Sequence, residues 1–161
     1  MIEEKYRNLA EQTVSFVKAI QRTGLQVVGM KDGYVKLMMP LAENVNHVGI
    51  MYAGSLFTIG EVIGGIYWGM QFDVDKFYPI VKEINIQFRK PAMTDVTLEK
   101  TFDPEETKRV EAEAERNGKA DFTLDLELKD ANDQVVSVVR GIWQIRKTPE
   151  ELKGLFKSAI G

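Results

Sequence analysis

NHVGIMYAGSLFTIGEVIGG, residues 46–65, holds one carboxylate, Glu61, in a run of apolar and small residues. No other residue from Asn44 to Phe72 is formally charged at neutral pH. The stretch is too long for one strand and contains no proline, so it predicts a loop over 41–51 and then a helix to about residue 70. Glycine weakens a helix by about 1 kcal/mol relative to alanine. Gly54, Gly60, Gly64, Gly65 and Gly69 therefore point to close approach by other backbone or by a thin ligand. Ionised carboxylates are seldom fully buried unless something pairs with them or uses them. Glu61 is either a structural acid, paired with Arg89, Arg140 or a backbone amide, or the chemical centre of the protein.

On the N-terminal side, residues 3–22 carry Tyr6, Leu9, Thr13, Phe16, Val17 and Ile20 at helical spacing, with Gly24 as a stop. LQVVGM and YVKLMMP flank Lys31-Asp32-Gly33 and read as a hairpin. On the C-terminal side the period changes to two. Ile80, Ile84, Ile86 and Phe88 alternate with polar neighbours, as do Val96, Leu98 and Phe102, and then Ala120 to Leu128. These are antiparallel strands with one face in and one face wet. Residues 135–146 are apolar on both sides, which suggests a central strand, reached through a turn at Ala131-Asn132-Asp133. Asp103-Pro104-Glu105-Glu106 and Thr148-Pro149-Glu150-Glu151 each read as a cap, a proline at the first helical position and an early glutamate. They predict helices over 104–116 and at the C-terminus. Six antiparallel strands must then cover one apolar helix, and the plain α+β solution is a curved sheet wrapped around it.

The chain has 161 residues with 44% apolar and 28% charged, which suits one domain, 1–161, with a real core. Net charge is −3 with no basic cluster, which argues against nucleic-acid or anionic-membrane partners. There is no cysteine and one histidine, His47, so disulfides, thiolate chemistry and a multi-histidine metal site are excluded. The N-terminus lacks the basic start and apolar run of a secretory signal, and 44–72 is too rich in glycine and polar groups for a spanning helix. A soluble, cytoplasmic protein is expected.

The element order and the segment YAGSLFTIGE resemble the hotdog-fold thioesterases, in particular the PaaI-like branch and its subgroup of uncharacterised members. That branch starts its central helix with His-Gly-Gly and places a catalytic Asp or Glu a few residues on. Tyr52-Ala53-Gly54 falls on the first pattern and Glu61 on the acid. PLAENVNHVG resembles the loop entering the helix, and INIQFRKPA the strand after it. The likeness covers most of residues 24–147. Tyr52 and Ala53 depart from it. A phenol titrates near pH 10 and cannot replace imidazole as a base at neutral pH.

The resemblance implies hydrolysis of an acyl-CoA or acyl-carrier thioester, with coenzyme A as part of the substrate and no separate cofactor. Glu61 would serve as general base or as nucleophile. The N–H groups of Ala53 and Gly54, at the positive end of the helix, would receive the oxyanion. Hotdog sites lie between two subunits, so a homodimer or dimer of dimers is implied, with acid and donors from opposite chains. Phe57 and Trp68 would wall the acyl slot, Met51 would line it, and Tyr52 would stand beside it. Thr58 would hydrogen-bond Glu61. Asn46 and His47 would orient water or bind the carbonyl; alternatively Asn46 caps a turn and His47 is a surface residue. Arg89 and Lys90 would meet the phosphates of coenzyme A, or simply blunt a strand end. Ser55 reads as a hydroxyl supporting the helix start rather than a nucleophile. Two other readings remain: a non-catalytic acyl-ligand binding module, and a hydratase or dehydratase pairing an acid with His47.

Overall fold

The alternating segments form six antiparallel strands: β1 Gln26–Lys31, β2 Tyr34–Met39, β3 Phe77–Phe88, β4 Val96–Thr101, β5 Lys119–Lys129 and β6 Val135–Lys147. The computed structural model describes residues 1–154. Its single sheet has the order β1-β2-β4-β5-β6-β3. The apolar-on-both-sides segment becomes β6, which is flanked by β5 and β3. β3 ends the sheet, so one edge of a twelve-residue strand has no partner among the described residues.

The stretch around Glu61 crosses the sheet as α3 Ala53–Glu61 and α4 Ile63–Gln71. A single helix was expected; it is interrupted at Val62. The interruption is slight, because Val62 N–H still donates to Thr58 O (3.1 Å) and Val62 O still accepts from Ile66 N (3.2 Å). Leu56, Ile59, Ile63, Ile66 and Tyr67 are buried against the sheet residues Leu37, Leu98, Phe122 and Trp143 in one apolar cluster. Tyr67 stacks on Phe102 with centroids 4.4 Å apart and meets Phe122 edge-on at 4.8 Å. Its hydroxyl is satisfied by Thr107 Oγ1 at 2.8 Å.

The expected N-terminal helix is likewise divided, into α1 Arg7–Ser15 and α2 Lys18–Gln21. The division falls at Phe16-Val17, where Val17 takes an extended backbone. The 104–116 helix forms as α5 Pro104–Asn117. Asp103 accepts from Glu105 N at its start, and Gly118 closes it with a left-handed φ of 80°. Thr148-Pro149-Glu150-Glu151 gives one 3-10 turn, Glu150–Leu152, instead of the expected terminal helix. Residues 155–161, where that helix would continue, lie outside the described part.

The helix glycines divide by what faces them. A Cβ at Gly64 would stand 2.1 Å from Trp143 Nε1, and one at Gly60 would stand 2.9 Å from Val139 Cγ2. Both glycines let the helix sit down on β6. Gly69 makes room for Leu9 of α1, whose Cδ1 is 2.8 Å from where a Cβ would stand. Gly65 alone among the helix glycines faces open space. Gly64→Ala should cost about 1–3 kcal/mol by overpacking the indole. Gly65→Ala should instead stabilise by about 0.5–1 kcal/mol through helix propensity. Urea unfolding of the two variants beside wild type checks the opposite signs.

Candidate active site

The helix start is held by a buried asparagine. Asn44 Nδ2 donates to Thr23 O and Pro40 O, both at 2.7 Å, and its Oδ1 accepts from Ser55 Oγ at 2.7 Å. Asn44 O accepts from Tyr52 N (2.7 Å), and Met51 N donates to Ala92 O (2.8 Å). Ser55 does support the helix start, but through Asn44 rather than by capping a backbone N–H. The N-cap residue Tyr52 makes no side-chain cap. The N–H groups of Ala53 and Gly54 have no partner among the described residues. They belong to the orphan donors of a helix N-terminus. Tyr52 is exposed, and its ring lies over Gly54, with Cε1 only 2.3 Å from where a Cβ would stand.

Glu61 lies two turns further along. Its carboxylate is half-buried and makes no hydrogen bond or ion pair within the described chain. Arg140 pairs with Asp125 instead (2.9 Å), and Arg89 donates to Gln87 Oε1 (2.6 Å). Burial alone pushes the Glu61 carboxyl above its ordinary value of 4.5. Glu61 opens into a cavity of about 320 Å³ whose walls include Leu9, Phe16, Ile20, Ile66 and Trp68. That volume is at the small end of the ligand-pocket range of about 300–1,000 Å³.

A second cavity lies at the other end of α3. Asn46, Met51, Ala53, Arg89 and Lys90 line it. Asn46 Oδ1 caps its own loop, accepting from Val48 N (2.9 Å) and Ile50 N (3.3 Å), and its Nδ2 has no partner among the described residues. Met51 is buried there. Lys90 Nζ donates to Gln134 Oε1 at 2.9 Å.

Several expected neighbours of Glu61 do not meet it. Thr58 Oγ1 donates to Gly54 O (2.8 Å), one turn back along its own helix, as hydroxyls in helices often do. Phe57 is 40% exposed and points out of the fold, outside both cavities. His47 is exposed at the loop tip and lines neither cavity, so no imidazole accompanies Glu61 in this chain. Trp68 does line the Glu61 cavity, with its indole N–H donated to Phe77 O at 2.8 Å.

Residues 5–145 match a family model described as Domain of unknown function (DUF4442). The chain belongs to this family. A Pseudomonas aeruginosa protein of unknown function, described as a "Probable Thioesterase", is 41% identical; the match covers 86% of this chain and 93% of that one, with a TM-score of 0.83. A Chlorobaculum tepidum protein of unknown function shares 20% identity over 87% and 95% of the two chains, with a TM-score of 0.75. A Staphylococcus aureus thioesterase, solved as glutamine-to-alanine and glutamate-to-alanine mutants, shares 19% identity over 81% and 99%, with a TM-score of 0.64. The DUF4442 chain has the hotdog fold that its sequence resembles. No protein of curated function matches it. Among its described residues no helix is long and apolar enough to cross a membrane.

Two features of this DUF4442 site escaped the sequence reading. Asn44 looked like one polar loop residue among several, and its bonds to Thr23 and Pro40 have no local signature. Gln12 also enters the Glu61 cavity. It stands three residues after Leu9 and four before Phe16, a polar side chain on the apolar face of α1, and that spacing was readable.

Asn44→Ala leaves two part-buried carbonyls, of Thr23 and Pro40, and the buried Ser55 hydroxyl without the partner they have here. It should lower stability by about 2–3 kcal/mol, read by urea unfolding. Glu61 should leave a different signature. Its pKa is higher folded than unfolded, so its ionisation penalises the fold at neutral pH, and the penalty vanishes where both states are protonated. Glu61→Gln should therefore melt above wild type at pH 7. That difference should shrink as pH falls through the raised folded value towards 4.5.

Proposed function

We propose that the protein hydrolyses acyl thioesters of coenzyme A or an acyl carrier, with Glu61 activating the water. The observation that carries this reading is the Glu61 carboxyl. It has no partner among the described residues, its pKa is raised, and it faces an apolar cavity large enough for an acyl group. A structural acid would be paired. A raised pKa moves a carboxylate closer to neutral pH and makes it a stronger base. The Pseudomonas relative's description points the same way.

The free N–H groups of Ala53 and Gly54, joined by Asn46 Nδ2, are donors suited to a developing oxyanion. Along one helix they stand roughly 12 Å from Glu61, at 1.5 Å per residue. No single carbonyl reaches both within one chain. The reading therefore includes a homodimer in which the donors of one protomer serve the acid of its partner. The free edge of β3, with Val81 and Phe88 exposed, and the uncovered Phe57 on the helix, form the surface for that pairing. Arg89 and Lys90, exposed beside the donors, suit the phosphates of coenzyme A.

Asn46 and Glu61 stand fifteen positions apart. The glutamine and glutamate replaced in the Staphylococcus aureus thioesterase have the same separation. That likeness is one of fold, and the spacing directs the first substitutions to this pair.

The absence of cysteine gives a clean thiol-release assay. On a panel of short, medium and aryl acyl-CoAs, wild type should turn over many times. Glu61→Gln should lose about 10²–10⁴ in kcat, the usual worth of a general base. The wild-type kcat/KM should rise with pH through the raised Glu61 value. Binding of acyl-CoA without product release would replace the hydrolase reading with that of a ligand-binding module.

A further inference from the structure

Gln12 belongs to α1, outside the central helix and outside the loop that carries the donors. Its Nε2 donates to Asn8 Oδ1 at 3.1 Å, one turn back, and this bond sets the orientation of the amide. Its Oε1 is buried and has no hydrogen-bond partner among the described residues. A buried carbonyl oxygen without a donor costs the fold free energy unless something outside the chain satisfies it. Gln12 shares the cavity with Glu61, whose carboxylate is also unpartnered. Thr13 has its hydroxyl proton committed to Leu9 O at 2.8 Å, and the Trp68 indole N–H is committed to Phe77 O. The rest of the wall is apolar. Among the described side chains of this cavity, the acceptors without a partner are Gln12 Oε1 and the Glu61 carboxylate, and no side-chain N–H or O–H is free to reach them.

We infer that Gln12 Oε1 and the Glu61 carboxylate together hold the water that hydrolyses the thioester. Water is the small molecule that offers two donors at once, and buried waters are retained where about two to four polar groups surround them. Donating one hydrogen to each oxygen leaves a water lone pair free to attack. In the reaction the water oxygen bonds to the carbonyl carbon and its Glu61-facing proton passes to the carboxylate. The C–S bond then breaks, and the departing thiolate takes that proton from Glu61. A carboxylic acid and a thiol result, and Glu61 is returned to its starting state. Gln12 never changes protonation; it fixes the water's second hydrogen and so its direction of attack. This rests on the thioesterase reading, and it selects the general-base role of Glu61 over the nucleophilic one.

The test combines a crystal structure with kinetics. Wild-type crystals should show one ordered water within hydrogen-bond distance of both Gln12 Oε1 and Glu61. Gln12→Met keeps the side-chain length and removes the acceptor. It should lose that water, keep the wild-type melting temperature within a degree or two, and lower kcat roughly 10- to 100-fold with KM nearly unchanged. A direct Gln12–Glu61 bond, an absent water, or a Gln12→Met kcat equal to wild type would each overturn the inference. If wild type hydrolyses no acyl-CoA, the thioesterase reading fails by itself. The water site is then decided by the crystals alone: a shared water keeps it, and its absence removes it.

Discussion

The contact on which the structure depends is the seat of the central helix on β6. Gly60 meets Val139 and Gly64 meets Trp143, and a methyl group at either position would collide with those side chains. The two glycines are four residues apart, so they lie on one helical face. Seating that face fixes the rotation of the helix. Glu61 and Gly65 each follow one of these glycines and lie about 100° further round the axis. They are thereby carried off the sheet to the rim of the core. The acid stays half-covered because of where its neighbours must be, and no interaction of its own is needed to hold it there.

Around this seat the polar groups fall into two kinds. Asn44 uses both ends of its amide and its own carbonyl to tie the hairpin region, the loop and the helix start together. Such fully satisfied networks rigidify what they join. The groups they position are the ones left open: the Ala53 and Gly54 N–H groups, Asn46 Nδ2 and the Glu61 carboxylate. Saturated residues build the frame, and unsaturated residues are presented by it.

The fold was legible because its signals are periodic. The change from helical spacing to alternation after residue 72 marks the passage from helix to sheet, and the caps at Asp103 and Gly118 bound α5 as their chemistry requires. The breaks at Val17 and Val62 were not legible, since neither is marked by proline. At the site, Glu61 stood out as the one charge in an apolar run. The glycines predict close approach by other backbone or by a thin ligand; side chains of the sheet fill the space at Gly60 and Gly64, Leu9 fills it at Gly69, and Gly65 is left open. Thr58 at helical spacing from Glu61 suggested a bond that the nearer carbonyl of Gly54 takes instead. Spacing says which residues are neighbours, and competition for partners decides which of them bond.

The place of β3 in the sheet has a consequence for how the chain is made. β3 ends at Phe88, yet its partner within the chain is β6, which begins at Val135. During synthesis the strand must wait for almost fifty further residues before its partner begins, and the Gly60–Gly64 face of the helix waits with it. Long-range strand pairing of this kind is slow and leaves hydrophobic surface open meanwhile. The nascent chain is therefore vulnerable to chaperone capture or aggregation just before its final strand emerges, and a ribosome that pauses there would hold β3 and the β6-facing side of the central helix uncovered.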